Sequence, residues 1–175
     1  MGIFRVVSMN KIEGKAWIFG DDINTDLMYP QICYTLPEKE KPHHAMEANR
    51  PGWASSVRNG DIIIAGKNFG TGSSRPAADN IKNLGISCVL AESLNGLFLR
   101  NSVNSGLPSL EVHGISGIVK EGNIVAIDFS SNTVMDKETG KVMKFKPLPA
   151  FLMEIIDNGG IINILKNKGL LGPPL

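Results

Sequence analysis

The stretch GDIIIAGKNFGTGSSRPAADNIKNLG, residues 60 to 85, contains a strand pattern, a glycine-rich loop and a helix pattern in that order. Residues 62 to 65 form a short apolar run, rich in β-branched side chains and closed by a glycine, which predicts a strand buried on both faces. Apolar residues recur at helical spacing from Ala77 to Leu84, and Gly85 offers a left-handed stop at the C-terminus of that helix.

The loop between this strand and this helix predicts an anion site. We expect Ser73 or Ser74 to be the N-cap and Pro76 to lie in the first helical turn. Gly72 and the serines leave backbone N–H groups unpaired at the positive end of the helix dipole. Arg75 adds a planar fork of donors that suits a carboxylate. The alternative is a glycine-rich turn before a capped helix, with no ligand.

Two nucleotide-binding motifs do not fit this loop. Gly70 and Gly72 begin like a dinucleotide fingerprint, but Arg75 stands where the third glycine would be. A P-loop would need Gly-Lys followed by Ser or Thr at the start of the helix, and the chain has Ser-Ser-Arg there. We therefore do not expect a nucleotide at this loop.

The composition predicts one globular domain over residues 1–175, with a loose tail at about 169–175. The hydrophobic content is 42%, enough for one sizeable core. A net charge of +1 and an aromatic content of 6% give no support to a nucleic-acid partner. The sequence shows neither a membrane-spanning run nor a signal-peptide pattern, and with two cysteines a reducing cytoplasm is the expected location.

The cysteines and histidines show no spacing typical of a metal site. Cys88 lies in an apolar run, where a thiol is usually a small buried side chain, and Cys33 lies in a predicted loop. We expect this chain to bind no metal ion and no iron–sulfur cluster.

The rest of the chain predicts a strand–helix–strand unit with parallel strands, flanked by further strands and helices. Residues 31 to 58 are rich in proline and charge, which predicts a long excursion with at most one short helix. We predict strands within 11–20, 86–91, 110–112, 115–119 and 124–129, and expect the last three to be antiparallel. We predict a turn at 137–140. Helices are expected from residue 94 onward, at 149–158 and at 161–167.

The loop from Gly20 to Asp26 carries three carboxylates in its short length. Such a cluster is most often a solvated turn stabilised by Asx hydrogen bonds. The functional interpretation is that Asp26 orients a polar partner at a site. Composition alone favours the turn.

Three motifs in order give a resemblance to one known family. The chain has GDDINTD from Gly20, GDIIIAGKNFGTGSSR from Gly60, and SLNGLFLRNSVNSGLP from Ser93. With these motifs, nearly the whole chain resembles the small subunit of isopropylmalate dehydratase-type enzymes, the swivelling domain of the aconitase superfamily.

The resemblance implies a three-layer β/β/α swivelling domain with a central parallel βαβ unit and additional antiparallel strands. It also implies a two-chain hydro-lyase that acts on alkyl-substituted malate-type acids, with 3-isopropylmalate, and so leucine biosynthesis, as the first expectation. A large partner subunit would carry a [4Fe–4S] cluster, and this chain would bind no cofactor. The alternatives are a small subunit of a dimethylmalate, methylmalate or homoaconitate hydratase and, more distantly, a non-catalytic carboxylate-binding module.

The same resemblance implies roles for individual residues. Ser73 would be the catalytic base, and Gly72, Ser74 and Arg75 would bind the carboxylates of a small di- or tricarboxylic acid. Three further residues would support the site: Thr25, Asp26 and Asn68.

The chain departs from the family in three segments that bear on the site. The usual Ser-Phe-Ala-Arg-Ile-Phe reads Ser93-Leu-Asn-Gly-Leu-Phe98 here, which removes an arginine near the site. Pro76 and Ala77 replace the usual Glu-His, and residues 31 to 36 replace the usual Gly-Arg-Tyr pattern of the loop that selects the substrate. We expect this specificity loop to prefer an alkyl group over a third carboxylate, because residues 31 to 37 include no cation. The apolar walls are expected from Ile32, Cys33, Tyr34 and Leu36.

Overall fold

The computed structural model describes residues 10–72 and 75–171 and contains a seven-stranded mixed sheet. The strand order is β4-β3-β2-β1-β5-β6-β7. The strands are β1 (Lys11–Ile18), β2 (Ile62–Ala65), β3 (Cys88–Ala91), β4 (Ser109–Glu111), β5 (Ile124–Asp128), β6 (Thr133–Asp136) and β7 (Val142–Lys144). Strands β1 to β4 are parallel, and β5 to β7 extend the sheet with antiparallel pairs beyond β1.

Within the described residues, six α-helices connect or flank these strands, together with short 3₁₀ turns. The helices are α1 (Thr25–Met28), α2 (Trp53–Ser56), α3 (Ala77–Leu84), α4 (Gly96–Ser105), α5 (Ala150–Asp157) and α6 (Ile161–Asn167). The central unit β2–α3–β3 is the predicted βαβ unit, because its two strands pair in parallel with Ile62 opposite Cys88.

Two apolar clusters give the fold its three layers. The first joins one face of β2 and β3 to the helices and includes Ile63, Val89, Ile81 and Phe98. The second joins the opposite face of β2 and β3 to side chains of β5 and β6, such as Val125. Since β5 and β6 do not pair with β2 or β3, the antiparallel half must curl over this face. The predicted β/β/α arrangement is confirmed, and all four residues of β2 are buried as expected.

Two strand predictions were wrong. β4 pairs with β3 in parallel and is not antiparallel, because α4 carries the chain back to the same end of the sheet. Residues Ile115–Gly117 form a 3₁₀ turn and not a strand. Gly114 precedes this turn with a φ of 84°, which redirects the backbone out of an extended path.

The predicted start of the central helix was also wrong. Its N-cap is Pro76, and no side chain caps it. Pro76 has a ψ of 49°, outside the helical region, and the N–H of Ala77 donates to the carbonyl of Arg75 at 2.7 Å. The helix therefore begins after Pro76. At the other end Gly85 adopts the predicted left-handed conformation, with a φ of 116°.

The excursion between α1 and β2 is more structured than the sequence predicted. Where we expected at most one short helix, the segment contains two 3₁₀ turns, Gln31–Tyr34 and Lys41–His44, and the short helix α2. Pro42 is tolerated because it occupies the start of its turn, where no internal hydrogen bond needs its nitrogen.

Candidate functional site

Three loops meet where the parallel strands β1, β2 and β3 end, and these loops carry the three sequence motifs. The loop after β1 bridges to the loop after β2, where the N–H of Thr25 donates to the carbonyl of Thr71 at 2.8 Å. The loop after β2 bridges to the loop after β3, where the N–H of Phe69 donates to the carbonyl of Ser93 at 3.1 Å. The carboxyl edge of a parallel sheet is where α/β proteins commonly bind ligands.

Two glycines allow these loops to pack closely. A Cβ added to Gly66 would lie 1.9 Å from Oδ1 of Asp21, the carboxylate that accepts the N–H of Lys67 at 2.6 Å. A Cβ added to Gly70 would lie 2.3 Å from the side chain of Phe98, and the φ of Gly70 is 83°. Gly66 therefore allows close contact with the loop after β1, and Gly70 allows close contact with α4.

Arg75 is held at this edge by two partners, one in α1 and one at its C-terminal end. Its Nε lies 2.7 Å from Oδ1 of Asp26, and its Nη1 donates to the carbonyl of Tyr29 at 2.9 Å. The Arg75 side chain is 18% exposed and that of Asp26 is 58% exposed. These contacts use two of the five guanidinium donors, so the end-on fork of Nη1 and Nη2 keeps N–H groups for a ligand carboxylate.

Tyr34 covers part of the Arg75 guanidinium. The central carbon of the guanidinium lies 5.7 Å from the Tyr34 ring centroid, within the range of a cation–π contact. Tyr34 also packs edge-on against Tyr29, with ring centroids 5.1 Å apart. One residue of the predicted specificity loop therefore contacts the predicted carboxylate-binding residue directly.

The predicted supporting residues take two different places. Thr25 is buried, and a Cβ added to Gly72 would lie 3.0 Å from its Oγ1, so Thr25 and Gly72 lie side by side next to Asp26. Asn68 lies on the opposite side of the loop, where its Nδ2 donates to Asp22 at 2.8 Å and its N–H donates to Oγ of Ser93 at 2.8 Å. Asn68 therefore joins the three loops together.

The predicted specificity loop does not present all of its residues to solvent. Ile32 and Tyr34 are 48% and 55% exposed, and Leu36 is half-buried. Cys33 is fully buried, and its Sγ donates to the carbonyl of Lys41 at 3.5 Å. The thiol therefore joins the two ends of this segment, and a place for Cys33 in the pocket wall stays a prediction.

The structure also places cations close to this loop, where the sequence between residues 31 and 37 has none. Burial raises the pKa of the Cys33 thiol, and the positive charges of Lys41 and Arg75 partly offset this effect. The Lys41 side chain is only 14% exposed, and its Nζ lies 5.9 Å from the Tyr29 ring centroid. Contacts between distant segments therefore supply the loop with charge that its own sequence lacks.

Sequence reasoning missed Asn80 as a positioning residue. Asn80 is 3% exposed, and its Nδ2 donates to the carbonyl of Met28 at 2.7 Å and to that of Lys41 at 3.4 Å. It thereby ties α3 to both ends of the specificity loop. The signal was present, since Asn80 lies between Ala77 and Ile81 on the apolar face of the helix pattern.

A cavity of about 300 Å³ opens beside Arg75, between the start of α3, the last turns of α4 and the start of α6. Its lining combines amides with aliphatic side chains, namely those of Asn101, Asn104, Ile161 and Ile162. The predicted base Ser73 and its neighbour Ser74 lie outside the described residues.

The two cysteines of the chain do not fit an iron–sulfur cluster. Cys33 belongs to the core on the helix side of the sheet and Cys88 to the core on the other side, whereas such clusters are typically held by three or four neighbouring thiolates. Within residues 10–72 and 75–171, histidines, cysteines and carboxylates form no group of three that could hold a metal ion. No helix in those ranges is long and apolar enough to cross a membrane.

The sequence model of the aconitase C-terminal domain matches residues 18–114, which include all three motif loops. The chain belongs to the aconitase C-terminal domain family. This confirms the family indicated by the motifs, whose loops meet at the carboxyl edge of the sheet.

Curated relatives are similar over nearly the whole chain. An "Isopropylmalate/citramalate isomerase small subunit" of Methanocaldococcus jannaschii is 42% identical over 160 residues, covering 90% of this chain and 95% of the relative. A "3-isopropylmalate dehydratase small subunit" of Nautilia profundicola is 44% identical over 160 residues, covering 90% of this chain and 96% of the relative.

A solved structure has the same fold. The crystal structure of a 3-isopropylmalate dehydratase from Methanocaldococcus jannaschii superposes with a TM-score of 0.85 at 34% identity. The match covers 91% of this chain and 96% of that one. The curated relatives and the solved structure therefore match similar shares of this chain, 90% and 91%.

Proposed function

We propose that this chain is the small subunit of a two-subunit iron–sulfur hydro-lyase that isomerises alkyl-substituted malates, with 3-isopropylmalate as the first candidate. Relatives about 40% identical that bear the name 3-isopropylmalate dehydratase small subunit support this proposal. We place the complex in the cytoplasm, with a large subunit as the partner.

The observation that carries the proposal is the preorganised guanidinium of Arg75. Asp26 and the Tyr29 carbonyl fix its orientation, and its outer N–H groups keep the geometry that a carboxylate accepts in two parallel hydrogen bonds. A residue held in this way loses little side-chain freedom when it binds, so more of the contact energy contributes to affinity.

The reaction needs donors where negative charge develops. Removing a proton beside a carboxylate concentrates charge on that group in the transition state, and fixed N–H donors stabilise it. We assign this role to Arg75 and to the backbone at Gly72, with Ser74 as a further contact. Ser73 is assigned as the base. A [4Fe–4S] cluster held by the large subunit would supply the Lewis acid for departure of the hydroxyl group.

The specificity loop favours an alkyl substituent. Tyr34 packs against Arg75, and Ile32 and Leu36 add apolar side chains to the same loop. Apolar walls typically discriminate by about 1–3 kcal/mol per methylene. Lys41 is paired with Glu38, so its charge is partly neutralised within the same segment. Dimethylmalate, methylmalate and homoaconitate remain the alternative substrates, and the cation at Lys41 is the feature that would favour a third carboxylate.

The test is a Ser73→Ala variant assembled with its large partner subunit. We expect turnover of 3-isopropylmalate to fall by at least about 100-fold, the scale for losing a catalytic proton transfer, while assembly is retained. Ser55→Ala, at an exposed position on α2, is the matched control and should leave turnover and assembly unchanged.

Two results would contradict the proposal. The first is wild-type turnover by the Ser73→Ala complex, which would remove the serine from the mechanism. The second is a wild-type complex that binds the acid without dehydrating it, which would favour the carboxylate-binding module. Equal efficiency on citrate and on 3-isopropylmalate would refute the alkyl preference.

A further inference from the structure

A second cavity, of about 280 Å³, lies at the edge of the sheet, between β4, α4 and the segment that leads into α5. Its walls are mainly aliphatic and include five leucines, Leu94, Leu99, Leu110, Leu148 and Leu152. It shares no lining residue with the cavity beside Arg75. A volume just below the usual range for drug-sized ligands suits a small molecule with an aliphatic body.

Three polar side chains line this otherwise apolar cavity. Ser109 and Glu111 lie two residues apart on β4, so their side chains point to the same face of the strand. Ser109 is 1% exposed, and its Oγ has no hydrogen-bond partner among the residues that the structure describes. An unpaired buried hydroxyl costs free energy, and a ligand that hydrogen-bonds to it would recover that cost.

The other two polar residues carry opposite charges and are exposed. Glu111 accepts the N–H of Leu94 at 2.8 Å through Oε1, and Lys146 lines the cavity from the segment before α5. Neither side chain forms an ion pair with a residue in the described ranges. The cavity therefore offers one free cation and one carboxylate with lone pairs to spare, next to aliphatic walls.

We propose that this cavity binds a small aliphatic α-amino acid. The alkyl side chain would pack among the leucines, the ammonium group would donate to Glu111 and Ser109, and the carboxylate would pair with Lys146. An α-amino acid combines an ammonium group, a carboxylate and an apolar side chain, and the lining offers a carboxylate, a cation and aliphatic side chains. A simple acid would leave Glu111 without a counter-ion, and a simple amine would leave Lys146 without one.

The cavity is also connected to the motif loops. Leu94 lines the cavity, donates to Glu111, and forms a bridge with Phe69 in the loop after β2. A ligand that fixes the Glu111 carboxylate would therefore reduce the mobility of the backbone beside Ser93. Exchange of the Leu94 amide hydrogen should slow when the ligand binds.

The test is calorimetric titration of the full chain with L-leucine as the probe. We expect saturable binding, at least tenfold tighter than that of 4-methylpentanoate, which lacks the ammonium group, or 3-methylbutylamine, which lacks the carboxylate. Glu111→Gln and Lys146→Met should each weaken binding about tenfold or more, the measured scale for losing a charged contact. The Glu111→Gln change keeps an oxygen that can accept the N–H of Leu94.

Lys144→Met, on β7, is the control because Lys144 is also exposed but lies outside the cavity lining. Ser109→Ala should weaken binding while the unfolding midpoint stays the same or rises, since no protein hydrogen bond is lost. The proposal is overturned if L-leucine shows no saturable binding up to about 10 mM, a concentration above a dissociation constant in the millimolar range. It is equally overturned if the acid or the amine binds as well as the amino acid. Binding to this chain does not depend on turnover, so the outcome is independent of the proposed hydro-lyase activity.

Discussion

Nε of Arg75 lies 2.7 Å from Oδ1 of Asp26, and this pair joins the loop after β2 to the loop after β1. An ion pair with one partner 58% exposed contributes little to folding, typically below about 1 kcal/mol. The ion pair instead fixes the orientation of the Arg75 guanidinium. Asp26 accepts the Nε–H, so the outer N–H groups of Nη1 and Nη2 point away from Asp26.

Arg75→Lys is expected to reduce catalytic efficiency strongly although the charge is kept. A lysine ammonium cannot hold Asp26 and the Tyr29 carbonyl and also bind a carboxylate through two parallel hydrogen bonds. We expect a loss of about 3 kcal/mol in transition-state stabilisation, the scale for removing one site donor. Steady-state kinetics of the assembled enzyme measure it, with Arg58→Lys at an exposed position as control. An Arg75→Lys enzyme within about threefold of wild type would remove Arg75 from the substrate contacts, since such a change is under 1 kcal/mol.

Gly70→Ala is expected to destabilise the fold by at least about 2 kcal/mol, because a new methyl group would overlap a packed ring and the backbone is left-handed. The added Cβ would lie 2.3 Å from Phe98, and the φ of Gly70 is 83°. Gly96→Ala is the matched control, since a Cβ there meets no atom within 4 Å and Gly96 is the first residue of α4. Urea unfolding compares the two. Equal midpoints would show that the fold does not depend on the close approach of the Gly70 backbone to Phe98.

Asn80→Ala is expected to lower the free energy of unfolding by about 1–3 kcal/mol, because it leaves the buried Met28 carbonyl without its donor. The same change frees the segment that holds Lys41, so protease cleavage between residues 31 and 44 should become faster. Asn83→Ala, on the exposed face of α3, is the control. If Asn80→Ala leaves both stability and cleavage at wild-type values, Asn80 does not position the specificity loop.

The contact between Arg50 and Glu121 predicts a dependence of stability on pH. Hydrogen bonds from Arg50, one of them 2.7 Å long, lower the pKa of Glu121 below its ordinary value of 4.5, and the Ile18 N–H donates to the same carboxylate. A carboxyl whose pKa is lower when folded stabilises the fold fully above its unfolded pKa, and loses this contribution as the pH falls through the folded pKa.

The Glu121→Gln variant should therefore be less stable than wild type above about pH 5, and the difference should shrink as the medium is acidified below 4.5. Chemical unfolding at a series of pH values measures this. Glu40→Gln, at an exposed position, is the control and should run parallel to wild type. A constant difference between Glu121→Gln and wild type at all pH values would contradict the prediction.

Local pattern was enough to place the strand–loop–helix unit of residues 60 to 85 and the three motifs. Burial on both faces of β2 follows from four consecutive apolar residues, and the left-handed stop at Gly85 follows from the lack of a side chain. These features depend on residues close in sequence, so they could be predicted without the fold. The start of the helix could not be predicted in this way, because proline is compatible both with the N-cap position and with the first helical turn.

Contacts through space decided the rest. The direction of β4 depends on the path of α4, and an alternating pattern is the same for parallel and antiparallel edge strands. The pairing of Arg75 with the Tyr29 carbonyl joins residues 46 positions apart, and the burial of Cys33 depends on the packing of the loop over the helix-side core. The charge of Lys41 lies close to the specificity loop because the same packing brings the two segments together. Side-chain periodicity acts over a few residues, whereas a site assembled from three loops requires the whole sheet that aligns them.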